Sequence, residues 1–317
     1  MLGRCLPERM FAALCAAEKN GLQRIEEIRL RTGRPLMVYT SSGGWCVGEG
    51  GRLSDDSGIA STQEDMEQVF GAITGKSAYA YENELRQGFI TLAGGIRAGF
   101  AGSAVIADGG VKAYRGIGGI NFRIPCQAAG VAQKLLPYIS QNGCLHSALI
   151  VSAPKLGKTT LARDIARCAG SGIGVNRSKV SLIDERLELA AAEYGVPVFD
   201  VGTETDVISG VPKASGVFMA LRGLSPDVIV TDEIGRNEDL EALREVSNAG
   251  VVMVTTAHAP DFDSLLERLF FRRVFEERMF EAYVMLSASL GRITVQQVCN
   301  ARGQELLSAP MRLEAAV

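Results

Sequence analysis

The sequence predicts an α/β fold in which a parallel-sheet core follows a smaller α+β domain, and three observations lead there. Downstream of Leu145, short continuous apolar runs alternate with stretches at helical spacing. Apolar runs of that kind, set between amphipathic helices, imply a parallel sheet covered on both faces. Upstream there is no such alternation, and the apolar stretch 88–106 is studded with Gly88, Gly94, Gly95, Gly99 and Gly102.

In the upstream half, residues 62–74 (TQEDMEQVFGAIT) have helical spacing. The glycine density over 88–106 predicts short strands and tight turns rather than a long helix. After Pro125 a helix is expected over 128–140, and Asn142–Gly143 supplies a turn. The domain boundary is placed there, giving domains 1–143 and 144–317. The core then begins with strand Ala148–Ser152 and helix Thr159–Ala169, whose Leu161, Ile165 and Cys168 share a face. Strand Val180–Ile183 follows. Helix Lys213–Leu224 repeats Val217, Ala220, Leu221 and Leu224 at i, i+3, i+4, i+7. Strand Asp227–Thr231, helix Glu238–Asn248, strand Val251–Thr256 and helix Asp261–Phe271 continue the alternation. Glu281–Ser289 and Thr294–Val298 are expected as two last strands joined by Gly291.

Composition narrows the function. The 317 residues are 47% hydrophobic and 22% charged, which is ordinary globular material. A net charge of −3 offers no basic field for nucleic acid or an anionic membrane surface. The seven cysteines form no CxxC pair and fit a reducing cytoplasm, and two histidines cannot build a His-rich metal site. No signal peptide is expected at the N-terminus. The longest uncharged stretch, Leu135 to Pro154, holds Pro137, Asn142, Gly143 and His146, which are costly in lipid. Direct membrane insertion is therefore not expected, and membrane association must come through partners.

The strongest chemical signal is Ser152-Ala153-Pro154-Lys155-Leu156-Gly157-Lys158-Thr159-Thr160, between a strand and a helix. A phosphate chain needs inward backbone N–H groups, a helix N-terminus, a mobile cation and a hydroxyl for Mg²⁺. Gly157 lets the backbone close on the phosphates, Lys158 reaches the β- and γ-phosphates, and Thr159 ligates the metal. Ser152 stands where the P-loop pattern has its first glycine. The second signal is Asp227-Val-Ile-Val-Thr-Asp232-Glu233, an apolar strand ending in two carboxylates. Asp232 is expected to hold Mg²⁺, and Glu233 to orient or deprotonate the attacking water. Together these make the core a RecA-like P-loop NTPase with ATP and Mg²⁺ as its ligands.

Asp184-Glu185-Arg186 ends another apolar strand. Asp184 or Glu185 is a candidate for the metal shell or for positioning water, and Arg186 for phosphate; a surface turn with an internal ion pair is the alternative. His258, at the end of Val251–Thr256, is a candidate γ-phosphate sensor. His146 is given no role.

These blocks form a set with Lys213-Ala214-x-Gly216 and Leu221-Arg222-x-x-Ser225-Pro226-Asp227 through Gly235. With Glu27-Ile-Arg-Leu-Arg31-x-Gly33-Arg34-Pro35 and Gly88-Phe-Ile-Thr-Leu-x-Gly94-Gly95-x-Arg97, the set resembles the stage III sporulation protein AA family over nearly the whole chain. The resemblance implies a secretion-type ATPase: a homo-hexameric ring with nucleotide at subunit interfaces. It implies a motor on the mother-cell side of a forespore channel complex, cytoplasmic and docked on small membrane proteins. Asp184–Arg186 then corresponds to an acidic box and His258 to a histidine box. Two residues depart from the pattern, Lys155 where the family has glycine and Ile96 where it has histidine. A positive φ at Lys155 would cost on the order of 1–3 kcal/mol.

Arg97, Arg123 and Arg236 are candidate arginine fingers, a device contributing about 10³–10⁵ in rate in well-studied phosphoryl transfers. Surface solvation or carboxylate pairing is the alternative for each. Two rival functions stay open, a nucleic-acid-acting RecA-like ATPase and a nucleotide-gated scaffold with little hydrolysis.

Overall fold

In the computed structural model the described residues are 2–315, apart from 76, 78–80, 87, 108–109, 126, 193–194 and 291–292. Gly291, expected to join the last strands, lies outside them. The chain divides into two compact units, residues 1–126 and 127–317.

The first unit carries helices α1 (Leu2–Cys5), α2 (Glu8–Lys19), α3 (Gln63–Thr74) and α4 (Glu82–Arg86). Its strands are β1 (Glu27–Arg31), β2 (Met37–Thr40), β3 (Gly43–Val47), β4 (Leu53–Ser54), β5 (Phe89–Leu92), β6 (Ile96–Ala107) and β7 (Gly110–Arg123). They form an antiparallel sheet in the order β4-β3-β2-β1-β7-β6-β5. Helix α3 covers the predicted span because both its ends are specified. The Thr62 hydroxyl accepts from the Asp65 N–H at 3.1 Å, the Asp65 carboxylate accepts from the Thr62 N–H at 2.7 Å, and Gly75 turns left-handed at φ 57°. Ile28, Leu30, Val38, Ile90, Ala98, Ile120 and Phe122 pack with Met10, Leu14, Met66 and Val69 in one core.

The turn expected in the glycine-rich stretch is present, with Gly94 and Gly95 at φ 83° and 68°. The strands after it are long rather than short. Gly102 lies inside β6, where a Cβ would meet the Gly116 carbonyl oxygen at 2.0 Å, beside a register shift between Ala101 and Gly102. Glycine there permits a bulge within the β6–β7 ribbon instead of ending it.

The second unit starts with a small hairpin, β8 (Ser140–Gln141) and β9 (Cys144–Leu145), turned by Asn142 and Gly143 at φ 52° and 80°. Then come β10 (Ala148–Ser152), α5 (Lys158–Ser171), β11 (Val180–Asp184), β12 (Thr205–Ser209), α6 (Lys213–Gly223), β13 (Val228–Thr231), α7 (Asn237–Asn248) and β14 (Val252–His258). Helices α8 (Phe262–Glu267) and α9 (Leu269–Glu276) precede β15 (Ala282–Ser287), β16 (Thr294–Asn300) and β17 (Met311–Arg312). The sheet order is β12-β11-β13-β14-β10-β15-β16-β17, parallel through β15 and antiparallel at its last two strands. Alternate residues of one strand enter two cores: Ile150 packs with Leu161, Ile165 and Val230, while Leu149 and Val151 pack with Val217, Leu243 and Phe271.

Two expected helices differ. Over 128–140 the chain makes turns and a 3-10 helix at Leu136–Tyr138. The Asp164 carboxylate takes the Gly130 and Ala132 N–H groups at 3.0 and 2.8 Å, and Pro137 has no N–H to continue a helix. Helix 261–271 breaks at Arg268, whose extended backbone (φ −80°, ψ 122°) accompanies a 2.8 Å guanidinium bond to the His258 carbonyl.

The division also falls earlier than residue 143. Val131, Ala132, Leu135, Leu136 and Ile139 are buried in the same core as α5. Burying each of the larger side chains contributes roughly 1.5–3 kcal/mol. A fragment of residues 127–317 should therefore unfold cooperatively in a urea titration monitored by circular dichroism. A fragment of 144–317 should not; equal stability of the two would restore the later boundary.

Candidate functional site

The loop between β10 and α5 holds residues 152–157, and its conformation follows from two left-handed positions. Gly157, the residue before α5, has φ 92°, and Lys155 has φ 65°. The departure noted at Lys155 is thus a non-glycine side chain in left-handed backbone, a strained arrangement. A Cβ at Gly157 would come within 2.7 Å of Ile293. No side chain caps α5 at Gly157, so the first amides of the helix face the loop. Pro154 and Lys155 are exposed, Ser152 and Lys158 are buried, and Ala153, Leu156, Thr159 and Thr160 lie between.

The Lys158 amino group lies within the loop, donating to the carbonyls of Ser152 (3.1 Å) and Ala153 (3.0 Å) and to the Ser152 hydroxyl (3.2 Å). It also lies 2.9 Å from Nδ1 of His258. Burial draws the pKa of this amine down, against the opposing fields of Glu233 and Asp232. On the far side of the imidazole, His258 Nε2 is 3.2 Å from the Glu233 carboxylate, which is 3.6 Å from Arg186. Lys158 and the Glu233 carboxylate therefore meet on one histidine. The sheet register produces this: Ser152 pairs with His258 across β10 and β14, while β13, which precedes Asp232 and Glu233, flanks β14. Asp232 is held by the hydroxyls of Thr255, which donates to its carbonyl at 2.8 Å, and Thr256, which donates to its carboxylate at 3.1 Å.

Asp184 has a different task from the one its position suggested. It is fully buried, and its two oxygens accept the backbone N–H groups of Glu188, Leu189, Ala190 and Ala191 at 2.8–3.2 Å. That carboxylate is spent on folding the loop after β11. Arg163, unremarked in the sequence, donates to the carbonyls of Leu189 (2.5 Å) and Glu188 (2.6 Å) of the same loop and lies over the Phe199 ring at 3.9 Å. Its charged positions on an apolar helix were the available signal.

Glu185, Arg186, Asp232, Glu233 and Arg236 line one cavity of about 270 Å³. Lys213 and Arg268, which were given no role from sequence, line it too. Arg97 and Arg123 lie in the first unit, directly opposite one another across β6 and β7. Arg97 stacks on the Phe89 ring at 4.9 Å.

The family model for sporulation stage III, protein AA, matches residues 5–306. Stage III sporulation protein AA of Bacillus subtilis (strain 168) is 38% identical over 306 residues, 96% of each chain. The chain belongs to this sporulation protein AA family. A plastid protein of Arabidopsis thaliana, SEEDLING PLASTID DEVELOPMENT 1, is similar over a shorter stretch, 28% identical across 47% of this chain and 21% of its own. Among solved structures, the Legionella pneumophila ATPase DotB superposes with a TM-score of 0.58 at 17% identity, covering 94% of this chain and 82% of that one. The pilus retraction motor PilT with bound ADP gives 0.55 at 15% identity, over 88% and 78%. The fold is thus the RecA-like P-loop fold of secretion-type ATPases.

Replacing Asp184 with Asn deprives two of the four amides of an acceptor. Urea denaturation should show a loss of about 2–4 kcal/mol. A variant as stable as the parent would return Asp184 to the catalytic set.

Proposed function

We propose that this protein is a Mg²⁺-dependent ATPase. The observation that carries the reading is the convergence of Lys158 and Glu233 on His258, at 2.9 and 3.2 Å, at the carboxyl edge of a parallel sheet. The α5 amides and the Lys158 cation suit a phosphate chain, and no side-chain cap competes for those amides. Thr159 and Asp232 would hold Mg²⁺, which when bound neutralises charge on the β- and γ-phosphate oxygens. Glu233 orients and deprotonates the attacking water. His258, bonded on one side to the phosphate-binding lysine and on the other to the base, couples phosphate occupancy to the setting of Glu233. Glu185 borders the same cavity as a second acidic group. Arg97, Arg123 or Arg236 supplies the cation that stabilises the transferring phosphoryl group.

At the next level we propose a homo-hexameric ring that powers or gates a sporulation channel complex from the mother-cell cytoplasm, docked on small membrane proteins. Among the described residues no helix is long and apolar enough to cross a membrane, which suits a peripheral attachment. The acidic net charge of −3 favours this reading over one acting on nucleic acid.

Phosphate release and nucleotide titration test the site. Lys158→Ala should abolish measurable ATP binding, and unaltered binding would remove the loop from the site. Glu233→Gln should keep ATP affinity while turnover falls by about 10²–10⁴-fold. An unsubstituted protein that binds ATP yet releases no phosphate would instead be a nucleotide-gated scaffold.

A further inference from the structure

Lys213 opens α6 directly after Pro212 and is 8% exposed. Both facts are unfavourable for a lysine: a helix N-terminus repels a cation, and a buried amino group loses its water. Its polar contacts offset those costs and draw three segments together. The amino group donates to the Glu233 carbonyl, and it stands 3.9 Å from the Glu185 carboxylate and 3.8 Å from the Asp239 carboxylate. Asp239 in turn accepts the N–H groups of Gly235 and Arg236 at 2.9 Å each. The turn from Glu233 to Arg236 is thus fixed at its carbonyl by Lys213 and at two amides by Asp239, and Lys213 ties one anchor to the other. Gly235 suits this tight passage, with φ 156° and the Arg268 guanidinium 3.3 Å from where a Cβ would sit.

This turn is also what aims the Glu233 side chain toward His258 and Arg186. We propose that Lys213 is a positioning residue for Glu233, acting on the hydrolytic step and not on nucleotide binding. The proposal rests on the ATPase reading given above. A neutral side chain at 213 would leave the Glu233 carbonyl without its donor and Glu185 and Asp239 without the intervening cation. The turn would then relax, and the carboxylate would lose its fixed bearing on the imidazole. A displacement near 1 Å of a reacting group costs on the order of 10²-fold in rate.

The test uses the full chain with Lys213→Met, Lys213→Arg and Asp239→Ala. Steady-state hydrolysis of Mg-ATP, ADP titration and the imidazole NMR signals are measured for each. The chain has two histidines, His146 and His258, so a His146→Gln variant assigns both signals. Lys213→Met should lower kcat by about 10–100-fold with KM and ADP affinity held within about twofold. The His258 signal should move while that of His146 stays, and Lys213→Arg should recover part of the rate. Asp239→Ala removes the one oxygen that accepts both amides, opens the same turn from its other anchor and should reproduce the kcat-only loss, even if Lys213→Met fails to fold. A parental kcat in either folded Lys213→Met or folded Asp239→Ala overturns the proposal. Loss of ADP affinity in proportion to kcat, with both histidine signals displaced, also overturns it in favour of general structural damage. If the unsubstituted protein does not hydrolyse ATP but Lys213→Met still shifts only His258, the ATPase reading fails and the positioning of Glu233 stands.

Discussion

The parallel register of β13, β14 and β10 is the constraint on which the site depends. Parallel strands linked by crossover helices bring their carboxyl ends to one edge of the sheet. With Ser152 opposite His258 and Val230 opposite Val254, the loop before α5, the histidine and the Asp232–Glu233 pair leave the sheet side by side. A slip of one residue would turn every side chain of the moved strand to the other face, exchanging Leu149 and Ile150 between two different cores. The two apolar layers fix that register, and so they fix the site.

Helix α5 meets a second demand, since it begins at the loop after β10 and is buried almost throughout yet carries Arg163, Asp164 and Arg167 inward. Buried charges need partners that satisfy them. Arg163 takes two carbonyls of the loop after β11, Asp164 takes two amides of the segment after residue 127, and Arg167 donates to Asp164 at 2.7 Å. Asp184 supplies the amides' side of the loop that Arg163 holds by its carbonyls. Polar groups in this interior therefore serve as connectors between irregular backbone and the helix that follows the 153–157 loop.

Much of this was legible in the residues themselves. Continuous apolar runs such as Ala148–Ser152 and Val228–Thr231 mark strands buried on both faces, and the i, i+3, i+4, i+7 spacing in Lys213–Leu224 marks the helix found over Lys213–Gly223. Thr62, Asp65 and Gly75 specify both ends of α3 locally. The segment 128–140 has helical spacing yet forms no long helix, because the bonds that bend it come from Asp164, more than thirty residues away. The break at Arg268 escaped for the same reason, since its cause is a carbonyl ten residues upstream.

What the sequence determined by itself was the alternation of the apolar strands β10, β11, β13 and β14 with helices α5, α6 and α7, and the chemistry gathered at the strand ends: a lysine after a glycine, two carboxylates, a histidine. Those depend on side-chain type and local periodicity. The tertiary structure decided which of the acidic groups are free to act. Asp184 and Asp232 both end apolar strands, but the first is consumed by four amides and the second faces the cavity. It also decided that Lys213, a helix-opening lysine with no motif of its own, would lie under the Glu233 carbonyl. Partnership of that kind arises from distances across the fold, and a linear pattern carries no record of them.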